Sequence, residues 1–319
     1  MTTPGFRLLR RDRADIFYIL DDEGQHPIDP RMAVDTLGED ARRTIVPPRR
    51  FWDSINSRTR TQSPASFENA WTHLIPVGDQ GYRLTCVSFA LVAAIELFAL
   101  RRGKKWSLSE QFANWVFNSY ETDRYADGVS LFNGVQRLAS WGTCPRELCE
   151  YQDANMTADP EEAPSSEAFK AATYGISRYA LIDRPLMGCA GKGCCKEEPN
   201  LDGPYISNTS YLECILASEH DIVVTMAAES MNSCGDVVTT YYQPLPDSFF
   251  CLPWPPLAGH AMVMVGYNRI GPTPYFVFRN SWGKSVAYWR FSYDYVRRYA
   301  RYGVVVMGVS DRMPAYPRC

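Results

Sequence analysis

Gln80-Gly-Tyr-Arg-Leu-Thr-Cys-Val-Ser-Phe-Ala-Leu-Val-Ala-Ala-Ile-Glu-Leu-Phe-Ala-Leu100 joins a polar loop to a run rich in Ala and Leu. Those two residues favour helix. The run therefore predicts a helix from Cys86 to Leu100, with Gly103 as its stop. It is apolar on nearly all sides, so it is expected to be buried. Cys86 opens it. The positive end of a helix favours thiolate over thiol, and a thiolate is a strong nucleophile at neutral pH. Most free cysteines, however, are small buried hydrophobes, so Cys86 alone decides little.

Outward from this run, two more helical stretches follow. Leu108–Asn118 has Ser109 available as a cap, and Ser130–Trp141 lies between Asp127-Gly128 and Gly142. The second half changes character. Asp221–Ala227, His260–Gly266, Tyr275–Arg279, Tyr288–Phe291 and Gly303–Gly308 are short runs of β-branched and aromatic residues. They read as strands of a mostly antiparallel sheet. Residues 184–205 and 230–257 are dense in Cys, Gly and Pro and read as long loops. A helical half followed by a β half makes an α+β chain.

Two polar residues stand out in the β half. His260 is the first residue of an apolar strand in Ala258-Gly-His-Ala-Met-Val-Met-Val-Gly266. A strand-end histidine can face a cleft while its neighbours enter the core, although taken alone it is more often structural. Asn280 follows a strand, in Arg279-Asn-Ser-Trp-Gly283. An Asn beside a Trp can accept one imidazole N–H in a sheltered spot, fixing the ring's tautomer and aim. Taken alone, Asn-Ser at a strand end is usually a turn. His26, His73 and His220 have no comparable setting.

Together these residues resemble a known family. Gln80-Gly81, Cys86 heading a helix, Leu108-Ser-Glu-Gln111, Asp127-Gly128, Gly259-His260-Ala261 and Asn280-Ser-Trp-Gly283 occur in the order of papain-like cysteine peptidases. Thr85-Cys-Val-Ser-Phe-Ala90 and the Tyr-Asp-Tyr within Ser292–Tyr295 are most similar to bacterial members. The resemblance spans about residues 70–310. It implies a two-lobed papain-like fold, with the nucleophile helix in a helical lobe and an antiparallel β lobe. It also implies a Cys86–His260–Asn280 triad working through a thioester acyl-enzyme, without a cofactor. Gln80 and the Cys86 backbone N–H would form the oxyanion hole, and Trp282 would cover the His260–Asn280 hydrogen bond. Asp127, Gly128, Val129 and Gly259 would line the peptide groove. The chain would then consist of an N-terminal extension over 1–66, pro-segment or added structure, and a catalytic domain over 67–319 with insertions near 184–205 and 230–257.

The departures are specific. Leu84-Thr85 and Val87 stand where the family has Gly-Ser and Trp, and Arg83 takes the place of a usual cysteine whose partner near Asp127 is also missing. Gly128-Val129 replaces a pair of glycines, so a side chain intrudes on one subsite. The Cys-to-His gap, 260 − 86 = 174, exceeds the roughly 130–150 usual in the family. The excess falls in the two long loops. Residues 1–66 are polar and broken by proline, with Phe17–Leu20 readable as a short strand, Pro47-Pro48 and Thr59–Ala65 as linker, and no pro-segment helix pattern.

Composition narrows the partners. The chain has 319 residues, 45% hydrophobic and 22% charged, with a net charge of −3. That supports a sizeable core and disfavours nucleic acid or anionic membrane as partner; a peptide or protein substrate is expected. The longest apolar run, Phe89–Leu100, carries Glu96 and is too short to span a bilayer. The first residues lack an apolar h-region, so cytoplasmic synthesis is expected, although ten cysteines would also suit an oxidising compartment. Cys189, Cys194, Cys195, Cys214, Cys234 and Cys251 are open between free thiols and disulfides, while their spacing, with no histidine near, argues against zinc. Cys144 and Cys149 read as packing rather than a bridge. Two rival functions remain at this level: an amide-forming or transamidating enzyme using the same triad, and a non-catalytic peptide-binding protein.

Overall fold

The computed structural model describes residues 63–118, 128–152, 164–182, 206–227, 259–284 and 287–313, with the backbone of 7–9, 17–21 and 24–28. Asp127, the segments 184–205 and 230–257, and Cys189, Cys194, Cys195, Cys234 and Cys251 lie outside the described residues.

The centre is a seven-stranded antiparallel sheet. Its strands are β4 (Ser66–Glu68), β5 (Gly175–Ile182), β6 (Ile222–Ala227), β7 (Gly259–Asn268), β8 (Tyr275–Arg279), β9 (Tyr288–Ser292) and β10 (Ala300–Ser310), in the order β5-β10-β6-β7-β8-β9, with β4 also pairing to β7. A separate antiparallel sheet joins β1 (Arg7–Leu9), β2 (Phe17–Asp21) and β3 (Gly24–Ile28). The strand read at Phe17–Leu20 is thus the middle of three.

The period-2 alternation of strands sorts the large sheet's side chains into two cores. Ala261, Val263 and Val265 of β7, with Val304 and Val306 of β10, face α1 (Cys86–Leu100), α2 (Glu110–Asn118) and α3 (Leu131–Trp141). Met262 and Met264 of β7, with Phe276 and Phe278 of β8, face α5 (Thr209–Ala217) and α6 (Tyr293–Tyr299) on the other side. A short α4 (Ser166–Ala171) packs on α2 in a third cluster around Phe112 and Phe169. The fold is therefore α+β with a helical lobe and a β lobe, as expected.

The local reasons are visible. α1 touches β7, β10, α2 and α3, which is why its apolar residues run all the way round. Ser109 caps α2 by accepting from Phe112 N at 2.9 Å, and Ser130 caps α3 by accepting from Asn133 N at 3.1 Å. α3 ends at Gly142, whose φ of +68° and closeness to the Tyr174 carbonyl leave no room for a Cβ. Residues 63–68 are held to the sheet: Tyr267 Oη donates to the Pro64 carbonyl at 2.8 Å, and Arg269 donates to the Ser63 and Pro64 carbonyls at 2.7 Å each. A buried polar node beside them has Asp221 accepting from Asn69 and pairing with Arg101 at 2.7 Å. Among the described cysteines, Cys86, Cys144 and Cys149 are free thiols. No helix among the described residues is long and apolar enough to cross a membrane.

Candidate active site

The site forms where a loop of the helical lobe meets a loop of the β lobe. Residues 78–80 and 281–283 run antiparallel: Gln80 N donates to the Ser281 carbonyl at 2.8 Å and Gly283 N to the Gly78 carbonyl at 3.1 Å, with an isolated bridge between Asp79 and Trp282. Two glycines allow this approach. A Cβ on Gly78 would stand 2.6 Å from the Phe89 ring, and one on Gly283, whose φ is +73°, would stand 2.7 Å from Asp79 Oδ2.

The ladder fixes Gln80. Its Nε2 donates to the Arg83 carbonyl at 2.7 Å, and its Oε1 accepts from Ser281 Oγ at 2.6 Å. A carbonyl only accepts, so the amide nitrogen must face Arg83 and the amide cannot flip. An amide nitrogen carries two hydrogens, and one N–H of Gln80 is left for another acceptor.

Cys86 occupies the first position of α1, where the backbone N–H has no acceptor within the helix. Thr85 supplies no side-chain cap; its hydroxyl is instead paired with Tyr151 Oη at 2.8 Å. Burial pushes the Cys86 thiol up, opposed by the backbone N–H groups of Ala261, Val87 and Cys86 itself. The Ala261 contact sets the sulfur beside the strand that carries His260.

His260 is the second residue of β7, opposite Met226 of β6. Its Nε2 lies 2.7 Å from Asn280 Oδ1, and both residues are buried. With the Asn280 oxygen as acceptor, Nε2 carries the hydrogen and Nδ1 keeps the lone pair. Trp282 lies against the imidazole, with ring centroids 4.9 Å apart, and is itself held by Trp289 at 5.1 Å. Burial pulls the imidazole pKa down, partly offset by the Asn280 bond. A neutral thiol and a neutral imidazole are the resting forms these directions favour.

The expected groove residues are less closely tied to this centre. Gly128 is exposed, and a Cβ there would meet nothing within 4 Å. Val129 is half-buried against the same core cluster as Cys86. Gly259 starts β7 opposite Ala227.

Several contributors were not read from the sequence. Ser281, within the quoted Asn-Ser-Trp-Gly run, orients Gln80. Arg279, a charge closing an apolar strand, was the unread signal for a second anchor: it donates to the carbonyls of Thr72 at 2.7 Å, Ile75 at 3.2 Å and Pro76 at 2.5 Å. Those bonds fix the segment leading to Gly78. Behind the site, Glu96, Glu110, Arg279, Asn280 and Ser281 help line a cavity of about 20 Å³, room for about one water. Glu110 pairs with Arg146 at 2.6 Å. Glu96 accepts from Leu108 N at 2.8 Å, and burial, with Glu110 beside it, pushes its carboxyl up to about 8.

No protein-family model matches the chain. Solved structures do resemble it. Xylellain, a cysteine protease from Xylella fastidiosa, is 21% identical and superposes with a TM-score of 0.58 over 79% of this chain and 88% of its own. A digestive procathepsin L2 proteinase from Tenebrio molitor larval midgut is 18% identical, with a TM-score of 0.50 over 84% of this chain and 75% of its own. The clostridial cysteine protease Cwp84, after propeptide cleavage, is 15% identical, with a TM-score of 0.50 over 77% of this chain and 58% of its own. A helical lobe headed by Cys86, set against an antiparallel β lobe carrying His260 and Asn280, is the two-lobed α+β fold of papain-like cysteine proteases.

Proposed function

We propose that this protein is a cysteine peptidase that cleaves peptide bonds through Cys86, His260 and Asn280. The observation that carries this reading is the 2.7 Å His260–Asn280 hydrogen bond under Trp282, which leaves Nδ1 as the free base of a ring whose neighbour, Ala261, touches the Cys86 sulfur.

In this mechanism the Cys86 proton passes to His260 Nδ1 and the sulfur attacks the substrate carbonyl carbon. The oxygen that gains charge accepts from the Cys86 backbone N–H and from the remaining Gln80 amide N–H. Ser281 and Arg83 hold that amide, so it need not reorganise as charge develops. The carbon–nitrogen bond then breaks, and the Nδ1 proton goes to the leaving amine. A water molecule then gives a proton to His260 and its oxygen to the thioester carbon; the carbon–sulfur bond breaks, the acid leaves, and His260 returns the proton to the Cys86 sulfur. Asn280 keeps the ring aimed and stabilises the imidazolium in between.

The test is treatment with an epoxide-type thiol-peptidase inhibitor, followed by peptide mass spectrometry and by product analysis with peptide substrate and an added amine. A single adduct on Cys86, together with free-acid product, is expected. An unlabelled Cys86, or turnover that survives Cys86→Ala, overturns the proposal; acylated amine as the main product replaces hydrolysis with amide formation.

A further inference from the structure

Among the described residues, Tyr82 and Leu84 are two large apolar side chains that stand in solvent, 94% and 64% exposed. They sit between Gln80 and Cys86 on a loop that is otherwise fastened down. Asp79 Oδ1 accepts from Gly81 N at 3.0 Å, and the Gln80 carbonyl accepts from Tyr151 Oη at 2.9 Å. Arg83 turns inward: it donates to Gln111 Oε1 at 2.8 Å and to the Gln152 carbonyl at 2.9 Å, with its guanidinium 5.1 Å from the Tyr151 ring centroid. Thr85 is buried on the same Tyr151, whose ring meets Phe89 edge-on at 4.7 Å. The loop thus alternates: Arg83 and Thr85 in, Tyr82 and Leu84 out.

A fixed backbone with two large apolar groups in water is preorganised for a contact that neither side chain makes within the described chain. Its place names the occupant. Leu84 is two residues from Cys86, so their backbones lie no more than roughly 7 Å apart. An acyl group carried on the sulfur is therefore held close to Leu84, and Tyr82 lies on the same loop nearer Gln80.

We infer that Leu84 and Tyr82 form an apolar wall for the substrate side chain next to the scissile carbonyl, so that the enzyme prefers peptides with an apolar residue there. This rests on the cysteine-peptidase reading above. Apolar contact of this kind discriminates by factors of about ten to a few hundred.

The test compares inactivation by peptidyl chloromethyl ketones that end in Leu or in Asp, with mass spectrometry to locate the adduct, in the parent, Leu84→Ser, Tyr82→Ser and Ile270→Ser. Ile270 is also 64% exposed, but lies in the turn between β7 and β8. The parent should react at least about tenfold faster with the Leu probe. Leu84→Ser should lose most of that ratio, Tyr82→Ser part of it, and Ile270→Ser none. Equal rates for the two probes in the parent, with Cys86 alkylated, overturn the wall while leaving the peptidase reading intact. The same holds if Leu84→Ser keeps the parent's ratio. Failure of every probe to reach Cys86 overturns the peptidase reading itself. A parent that self-associates through this patch, seen as a concentration-dependent mass lost in Leu84→Ser, assigns the wall to a second copy and also overturns the inference.

Discussion

Replacing Glu96 by Gln should flatten the fall of stability between pH 5 and 8. Glu96 sits within α1, buried, with its Oε1 accepting from Leu108 N. Burial, with Glu110 beside it, raises its carboxyl from 4.5 to about 8, against smaller opposing effects of the Leu108 N–H, Arg146 and Arg279. The sign follows from linkage. Below pH 4 the carboxyl is protonated in both the folded and unfolded chain, and its contribution is intact. Between about 4.5 and 8 the unfolded chain has released the proton while the folded chain keeps it, so rising pH favours unfolding by roughly 1.4 kcal/mol per pH unit. The ceiling over that window is about 5 kcal/mol, and the loss is complete once pH passes the folded pKa. Gln keeps the carbonyl acceptor for Leu108 and does not titrate. Urea unfolding of both proteins at pH 5, 6, 7 and 8 measures the difference, since the other ionisable groups are common to both. The gap should widen in favour of Glu96→Gln by several kcal/mol from pH 5 to pH 8. Parallel stability curves would falsify the assignment of a protonated Glu96 to the folded state.

Three further outcomes follow from the geometry. His260→Ala should lower turnover by about 10²–10⁴, and Asn280→Ala by less, because it aims the ring without exchanging a proton with substrate; steady-state kinetics on a peptide reporter measures both. Gln80→Ala should cost about 10²–10³ in kcat, and Ser281→Ala a smaller part of that with KM nearly constant, since it only releases Oε1; equal kcat in the parent and Gln80→Ala removes the oxyanion role. Asp221→Ala strips Arg101 and Asn69 of their buried acceptor and should cost about 3–5 kcal/mol, read by denaturant melts.

Much of this arrangement is readable from the chain because periodicity and caps agree there. The helices at 86–100, 108–118 and 130–141 carry apolar runs bounded by Ser109, Ser130 and Gly142, and form within a residue or two of those signals. The β-rich runs between 221 and 308 become β6 to β10, with β7 and β10 longer than read. β5 was not read: Ser177-Arg178 interrupts its alternation, and its position at the end of the strand order lets those residues stay partly or fully exposed. α5 was hidden because Glu213 is wholly buried at its centre, which sequence pattern counts as a polar break; Tyr293 Oη at 2.7 Å and Arg269 at 3.2 Å satisfy it. β1 and β3 are short, and Gly24-Gln-His-Pro-Ile28 has little strand propensity. At the site, Cys86, His260 and Asn280 stood out through motif order. Arg279, Ser281 and Tyr151 did not, because their importance lies in which distant carbonyl or amide each one meets.

The two-bond ladder between 78–80 and 281–283 also sets a timetable. Its halves are separated by about two hundred residues of chain, so on a ribosome α1, headed by Cys86, is made long before the loop at 281–283. Asn280 trails Cys86 by 280 − 86 = 194 residues. At typical synthesis speeds of about 5–20 residues per second, that gap lasts roughly 10–40 s, during which the growing polypeptide holds Cys86 without the completed His260–Asn280 pair. On the proposed function, the nascent chain gains the means to cleave itself or its neighbours only once the last third has emerged and closed the ladder.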